Sequence, residues 1–418
     1  MFSLLLLTFL LNWERTIGGE GYDEGRKIIP AFDSAYLIVG STASFGQGLF
    51  DIFLVKINEE GETLWTRTYG GEGNDYGYDI IATFDSSYLI VGSTSSFGQG
   101  GGDVYLLKVD SNGQIIWQRT YGGIYPDGGF SITFTYDSSY VITGYTKSFS
   151  NNLDCDLYLL KINQNGELLW EKIYGLRGFG LDEFGYCVKE TKDSGLVIVG
   201  YGRFPYGHGV DDIWLLKTDS EGETLFTKVF GGELCDYGYF LIPNENNEIL
   251  LIGYAGSFNT NVYLIKTDSL GNSLWQRNYG GSGYDIGYGG ILEGNNYLIV
   301  GSTESFGQGQ NDVYLIVIDN NGNLIFSNTF GGSNVDKGYS ITKARDGNFL
   351  IVGYTLSFGQ GSADVYLIKF SYPQAIKELV KEKKREKKEK LLYNILGQKI
   401  INKKNNLLGK IFLKGGRK

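Results

Sequence analysis

The chain has little of what most site chemistry needs. In 418 residues there is one histidine, His208, and one methionine, at the start. A single His provides neither a His-based metal site nor a His pair, and no GxSxG nucleophile elbow accompanies it. His208 therefore reads as a loop residue. The three cysteines, Cys155, Cys187 and Cys235, form no CxxC pair and are odd in number. They outline neither a zinc site nor a disulfide framework. Proline is scarce, at five residues. No apolar run approaches the ~20 residues that a membrane-spanning helix needs. The longest run, Met1–Leu11, resembles the apolar part of an export signal without a basic start or a small-residue cleavage site. We read 1–11 as a degenerate signal segment.

What is abundant points to sheets. There are 62 Gly, 31 Tyr and 25 Phe, with 42% apolar residues. Glycine without a three-residue period, combined with aromatics, suits short twisted strands joined by tight turns. The net charge of −10 is unevenly spread: residues 371–418 carry +11 and the rest −21. An acidic body argues against nucleic-acid binding.

The chain repeats seven times. An aromatic or Ile followed by Gly recurs at Ile17, Tyr69, Tyr121, Tyr174, Phe230, Tyr279 and Phe330. Four residues before each stands a large aromatic, from Trp13 to Phe326. In the second unit, strand-like segments fall at Ile80–Phe84, Tyr88–Thr94, Asp103–Val109 and Gln114–Tyr121. Four short strands per ~50 residues, seven times over, predict an all-β, seven-bladed β-propeller of four-stranded antiparallel blades over 12–370. The seventh unit ends at Phe370 without a fourth strand, while the N-terminus carries an orphan one, Asn12–Ile17. These two should pair and close the ring, which removes the exposed sheet edges. Connections from fourth to first strands and from second to third strands fall on one face. Those loops are long and Gly-rich, so a binding function is expected there.

Units such as DVYLLKVDSNGQIIWQRTYGG resemble the bacterial seven-bladed β-propeller repeat family often found in secreted proteins. That resemblance implies a fold, and little about activity. Beyond it, 371–390 reads as a charged linker or helix. In 391–418, Tyr393, Asn394, Ile395, Leu396, Gly397 and Gln398 resemble the end of a type IX secretion sorting domain, without its first half. The resemblance implies an extracellular or cell-surface location, with attachment through this tail.

Several repeated residues are candidates for chemistry. Asp23, Asp75, Asp127, Glu183, Asp236, Asp285 and Asp336 precede a Gly by two in every blade. Ringed around a channel, seven carboxylates would suit a hard cation such as Ca²⁺. As turn residues they would instead accept backbone N–H bonds, which is the expected role of a residue present in every blade. The third strands open with Asp51, Asp103, Asp156, Asp212, Asn261, Asp312 and Asp364, again with a turn role expected. Arg15, Arg67, Arg119, Lys172, Lys228 and Arg277 share a strand face with the fourth-strand aromatics and should stack on them. The SFGQG loops place Phe45, Phe97, Phe306 and Phe358 among glycines, with Phe149, Phe204 and Phe258 in equivalent places. Burial between blades is their expected role; exposed, they would stack on sugars or grip a protein. The expectation overall is a non-enzymatic module for a glycan or protein ligand, without a cofactor or catalytic residues. The alternatives are a propeller enzyme, such as a polysaccharide lyase or quinone-dependent dehydrogenase, and a structural spacer.

Overall fold

The computed structural model of the chain describes residues 10–150, 153–175, 181–205, 207, 209–256 and 260–371. The expected signal segment, charged linker and sorting-like tail lie outside them, except for Leu10, Leu11 and Ser371. His208 and Phe258 also lie outside. The described residues form 28 strands and no helix, so none contains a helix long and apolar enough to cross a membrane. The strands make seven four-stranded antiparallel sheets, the predicted seven-bladed propeller.

In the second blade the strands are Asp75–Ala82, Tyr88–Thr94, Asp103–Val109 and Ile115–Tyr121. Three match the sequence expectation to within a residue. The first begins five residues earlier than expected, because Asp75 and Tyr76 already pair with Thr94 and Ser93. Its register then shifts between Gly77 and Asp79, leaving Tyr78 as a bulge residue. The same shift follows the corresponding Gly in the other six blades, from Gly25/Lys27 to Gly338/Ser340.

Second and third strands are buried almost end to end, as in Tyr36–Thr42 and Asp51–Ile57. Each blade is covered on both faces by its neighbours, so these strands read as continuous apolar runs and not as alternating ones. The cores therefore lie between blades: Leu37, Leu54, Ile90 and Leu107 of blades 1 and 2 share one cluster. Within this core six of the seven third strands carry a buried lysine. Lys56, Lys108, Lys161 and Lys217 reach the turn acids Asp33, Asp85, Asp137 and Asp193 at 2.6–2.7 Å. Lys266 and Lys369 do the same with Glu248 and Asp346, both at 2.8 Å. Blade 6 has Val317 in the lysine's place and the short turn Glu293–Asn296. Where the lysine is absent, so is the turn acid.

Closure is as expected. The strand Leu10–Ile17 joins the sheet of Asp336–Lys343, Phe349–Thr355 and Asp364–Ser371 as its outer member. The Tyr366 hydroxyl donates to Glu14, as Tyr105 does to Gln118 inside blade 2. The two ends of the chain thus reproduce the contact that other blades make within one unit. Trp13 and Ile17 pack with Ile38 of blade 1 and with Leu350 and Val365 of blade 7.

Candidate functional site

The bulge in each first strand builds the site. The first strands start at the loop face, so the residue after each Gly is turned into the central channel. Those residues are Arg26, Tyr78, Phe130, Tyr186, Tyr239, Tyr288 and Tyr339. Six are aromatic and each ring touches the next. Successive centroids from Tyr78 to Tyr339 lie 5.2, 5.1, 5.1, 5.3 and 5.0 Å apart. Arg26 closes the circle, its guanidinium 4.2 Å from the Tyr339 ring centroid and 5.9 Å from that of Tyr78. It donates from Nε to Glu24 at 2.7 Å.

A cavity of ≈ 440 Å³ lies at this circle. Its wall is completed by Lys27, Asp79, Ser131, Lys189, Phe240 and the residues that follow the bulge in blades 6 and 7. All of these come after the bulge residue in strands that run away from the loop face. The cavity therefore extends from the aromatic circle toward the tight-turn end. The cavity is therefore not built by the long loops, where the sequence places a binding function. Toward the loop face more rings pack together: Tyr201 and Tyr237 have centroids 4.0 Å apart, and Tyr237 stacks on Tyr254 at 5.1 Å.

Charge in the cavity is specific to single blades. Lys27, Asp79, Ser131, Cys187, Phe240, Gly289 and Ser340 occupy one repeat position with little in common. Lys27 lies 3.7 Å from Asp79, which also accepts from the Ser131 hydroxyl at 3.0 Å and Ile132 N–H at 3.2 Å. The Lys27 and Lys189 ammoniums stand 5.1 and 5.9 Å from the centroid of one ring, Phe240. Burial pushes the Tyr186 and Tyr239 phenols well above the ordinary tyrosine range, with neighbouring tyrosines adding to it, so both remain hydrogen-bond donors at neutral pH. Burial likewise pushes the Cys187 thiol up, away from reactive thiolate.

The residues singled out in the sequence fall elsewhere. Asp23, Asp75, Asp127, Glu183, Asp236, Asp285 and Asp336 are all buried, at 0–1% exposure, and none lines the cavity. Asp75 accepts from Gly71 N–H at 2.8 Å and from the Ser96 hydroxyl at 2.6 Å. Asp23, Asp127, Asp285 and Asp336 have the same pair of donors in their own loops. The seven acids are dispersed one to a blade, and no group of three or more metal-ligating side chains forms among the described residues. A shared Ca²⁺ ring is therefore not assembled by them.

Six of the seven are adjacent instead to a third-strand acid of the preceding blade, and Asp285 is adjacent to Asn261. Asp51 and Asp75 flank Gly70, where a Cβ would strike both carboxylates. Asp51 accepts from Gln47 and Gly48 N–H at 2.8 and 3.0 Å, which holds the SFGQG loop. Asp312 and Asp364 make the same contacts in blades 6 and 7. Burial, then the charge of Asp127, pushes Asp103 up.

Arg15, Arg67 and Arg119 lie 5.2–5.7 Å from the rings of Trp13, Trp65 and Trp117, as the alternation required. The loop phenylalanines correct a different expectation. Phe45, Phe97, Phe149, Phe306 and Phe358 are 37–47% exposed, and of the described loop phenylalanines only Phe204 is buried. Each exposed ring leans by one side on a third-strand aromatic, such as Phe97 on Tyr105 at 5.5 Å.

No protein-family model matches the chain, and no curated protein matches it in sequence. Solved structures match its fold. The Neurospora crassa Pan2 WD40 domain aligns with TM-score 0.51 and 12% identity, over 83% of this chain and 89% of that one. The periplasmic gluconolactonase PpgL of Pseudomonas aeruginosa aligns with TM-score 0.50 and 13% identity, over 79% and 94%. The polysaccharide lyase Uly1 aligns with TM-score 0.53 and 11% identity, over 87% and 99%. At these identities the likeness is one of fold.

Proposed function

We propose that this propeller is a non-enzymatic binding module, extracellular or at the cell surface, whose ligand is a glycan held in the central channel. The observation that carries this reading is the channel wall: six touching aromatic rings and one arginine, directly above a cavity with blade-specific polar groups. Aromatic faces offer the apolar, flat surface on which the C–H faces of sugars stack, while phenol and ammonium groups meet hydroxyls. The cavity falls within the roughly 300–1,000 Å³ range of small-molecule sites. The exposed loop phenylalanines supply a second sugar- or protein-contacting surface on the opposite face. Location outside the cell rests on the export-like ends of the sequence.

A second reading, a propeller enzyme acting on a polysaccharide, draws on the same blade-specific groups, since catalysis needs residues that break the repeat. Against it, the Lys27–Asp79 pair is engaged internally, and the described residues of the cavity wall include no cysteine or histidine.

The test is a glycan array probed with the full chain, alongside product analysis of each bound polysaccharide. A binding module retains its ligand unchanged, and the Tyr186→Ala, Tyr239→Ala double variant loses the signal. Chain shortening or a new ultraviolet-absorbing double bond in the product would establish the enzyme. No hit on the array would remove the glycan.

A further inference from the structure

Three cations face the cavity in a body whose net charge is −21 over residues 1–370, and they are not equally satisfied. Arg26 is tied to Glu24 at 2.7 Å and Lys27 lies 3.7 Å from Asp79. Lys189 has no carboxylate within 4.0 Å among the described residues; its ammonium stands over the face of Phe240. Asp79 is unable to serve it, because Ser131, Ile132, Ile80 and Lys27 already share its two oxygens. The place of Lys189 is taken in the other blades by Ile29, Ile81, Thr133, Ile242, Ile291 and Thr342, so the blade itself does not require a cation.

An ammonium held in a partly dehydrated channel without a counter-charge is costly, and an anion brought beside it recovers that cost. Lys27 and Lys189 stand 5.1 and 5.9 Å from the Phe240 ring centroid, so both cations border the part of the cavity lined by that ring. The uncompensated charge is one unit, which matches a carboxylate better than a dianionic phosphate. The rings of Tyr186, Tyr239 and Tyr288 stand next to it and suit the rest of a sugar.

We infer that the channel is a subsite for a carboxylate-bearing sugar, with Lys189 as the residue that selects for its charge. This rests on the glycan-binding reading above and adds to it the class of sugar.

The experiment compares uronic-acid trisaccharides with their methyl esters by calorimetric titration into the full chain. The pair differs only in charge. The acids should bind at least about tenfold tighter, a ratio of ~1.4 kcal/mol. That preference should shrink with added salt. Lys189→Met should abolish it, and Lys189→Arg should retain it. Inorganic phosphate serves as a bare-anion probe and should compete weakly. Equal binding of acid and ester, or a preference unchanged in Lys189→Met, would overturn the inference and leave the glycan-binding reading intact. Binding by phosphate as tight as by the acids would overturn the sugar assignment. If neither acid nor ester binds, the inference falls, and array hits with neutral glycans decide whether the broader reading stands.

Discussion

The first and third strands of the same blades diverge in opposite ways. Third strands are close to copies of one another, as in DVYLLKV, DLYLLKI and DVYLIKF. First strands keep an acid and a Gly and then scatter, as in DEGRKIIP, DYGYDIIA and EFGYCVKE. The third strand is enclosed between two neighbouring blades, so any change in volume is felt on both sides. Beyond its bulge the first strand borders the channel cavity and is not enclosed on both sides. Repeated residues therefore hold the ring, and departures from the repeat collect where a ligand fits.

The largest expected effect comes from opening the ring. Deleting residues 1–17 strips blade 7 of its outer strand and bares the edge of Asp364–Ser371. Denaturant unfolding should show a loss of about 4 kcal/mol or more, with self-association through the free edge. Unchanged stability would mean that closure does not hold the ring.

Next come the glycines of the second strands. A Cβ at Gly200 would collide with the backbone oxygen of Phe184, whereas one at Gly347 meets nothing and only strains a positive φ of 82°. Gly200→Ala should cost about 3 kcal/mol and Gly347→Ala about 1 kcal/mol, measured by thermal unfolding. Similar costs at both sites would remove the close-approach argument.

Lys161→Met probes the repeated ion pair. Lys161 is 4% exposed but its partner Asp137 is 51% exposed, so the acid left behind rehydrates. A loss of about 1–2 kcal/mol is expected at neutral pH. Burial pushes the Asp137 carboxyl up, but the hydrogen bonds of Lys161 and Thr135 and the lysine's charge outweigh it and hold it at about 2. The folded value lies below the unfolded one of ~3.9, so the pair's contribution is present above pH ~4 and disappears as pH falls through 2. The wild-type advantage over Lys161→Met should vanish across that window.

The smallest effect has the opposite sign. Burial, then the charge of Asp154, pushes Asp156 up to about 6. A folded value above the unfolded ~3.9 means that the charged form is disfavoured in the fold, with the penalty complete above pH 6 and absent below ~4. Blade 5 already has Asn261 at this place. Asp156→Asn should raise Tm by about 2–4 °C at pH 7.5 and have no effect near pH 3.5. A lower Tm at neutral pH would show that Asp156 needs its charge.

Most of the fold was legible because fold residues repeat. Trp65 and Trp117 cover the turn glycines Gly113 and Gly166 of the next blade, and a contact made at six of the seven blade junctions leaves its spacing in the chain. The orphan strand at Asn12 was legible for the same reason. The channel wall was not, since it depends on the bulge. Simple alternation from Asp75 does not turn both Tyr78 and Asp79 toward the axis; the register shift at Gly77 does. The signal was nonetheless present: aligning the seven first strands on their Gly and reading the next residue yields six aromatics and Arg26. The spacing of the acids does not reveal the hydroxyls two loops away that bond them, such as Ser96 on Asp75. The loop phenylalanines were expected inside because rings usually are, but a Gly-rich arch supports only one side of each.

The division between holding and binding is tested most directly by two lysines measured in parallel. Lys161 sits in a repeated third strand and Lys189 in a divergent first strand. Unfolding stability and uronic-acid trisaccharide affinity are measured for Lys161→Met and Lys189→Met in the full chain. The account predicts that the first loses stability and keeps affinity, and that the second keeps stability and loses affinity. A stability loss in Lys189→Met with affinity unchanged would contradict it.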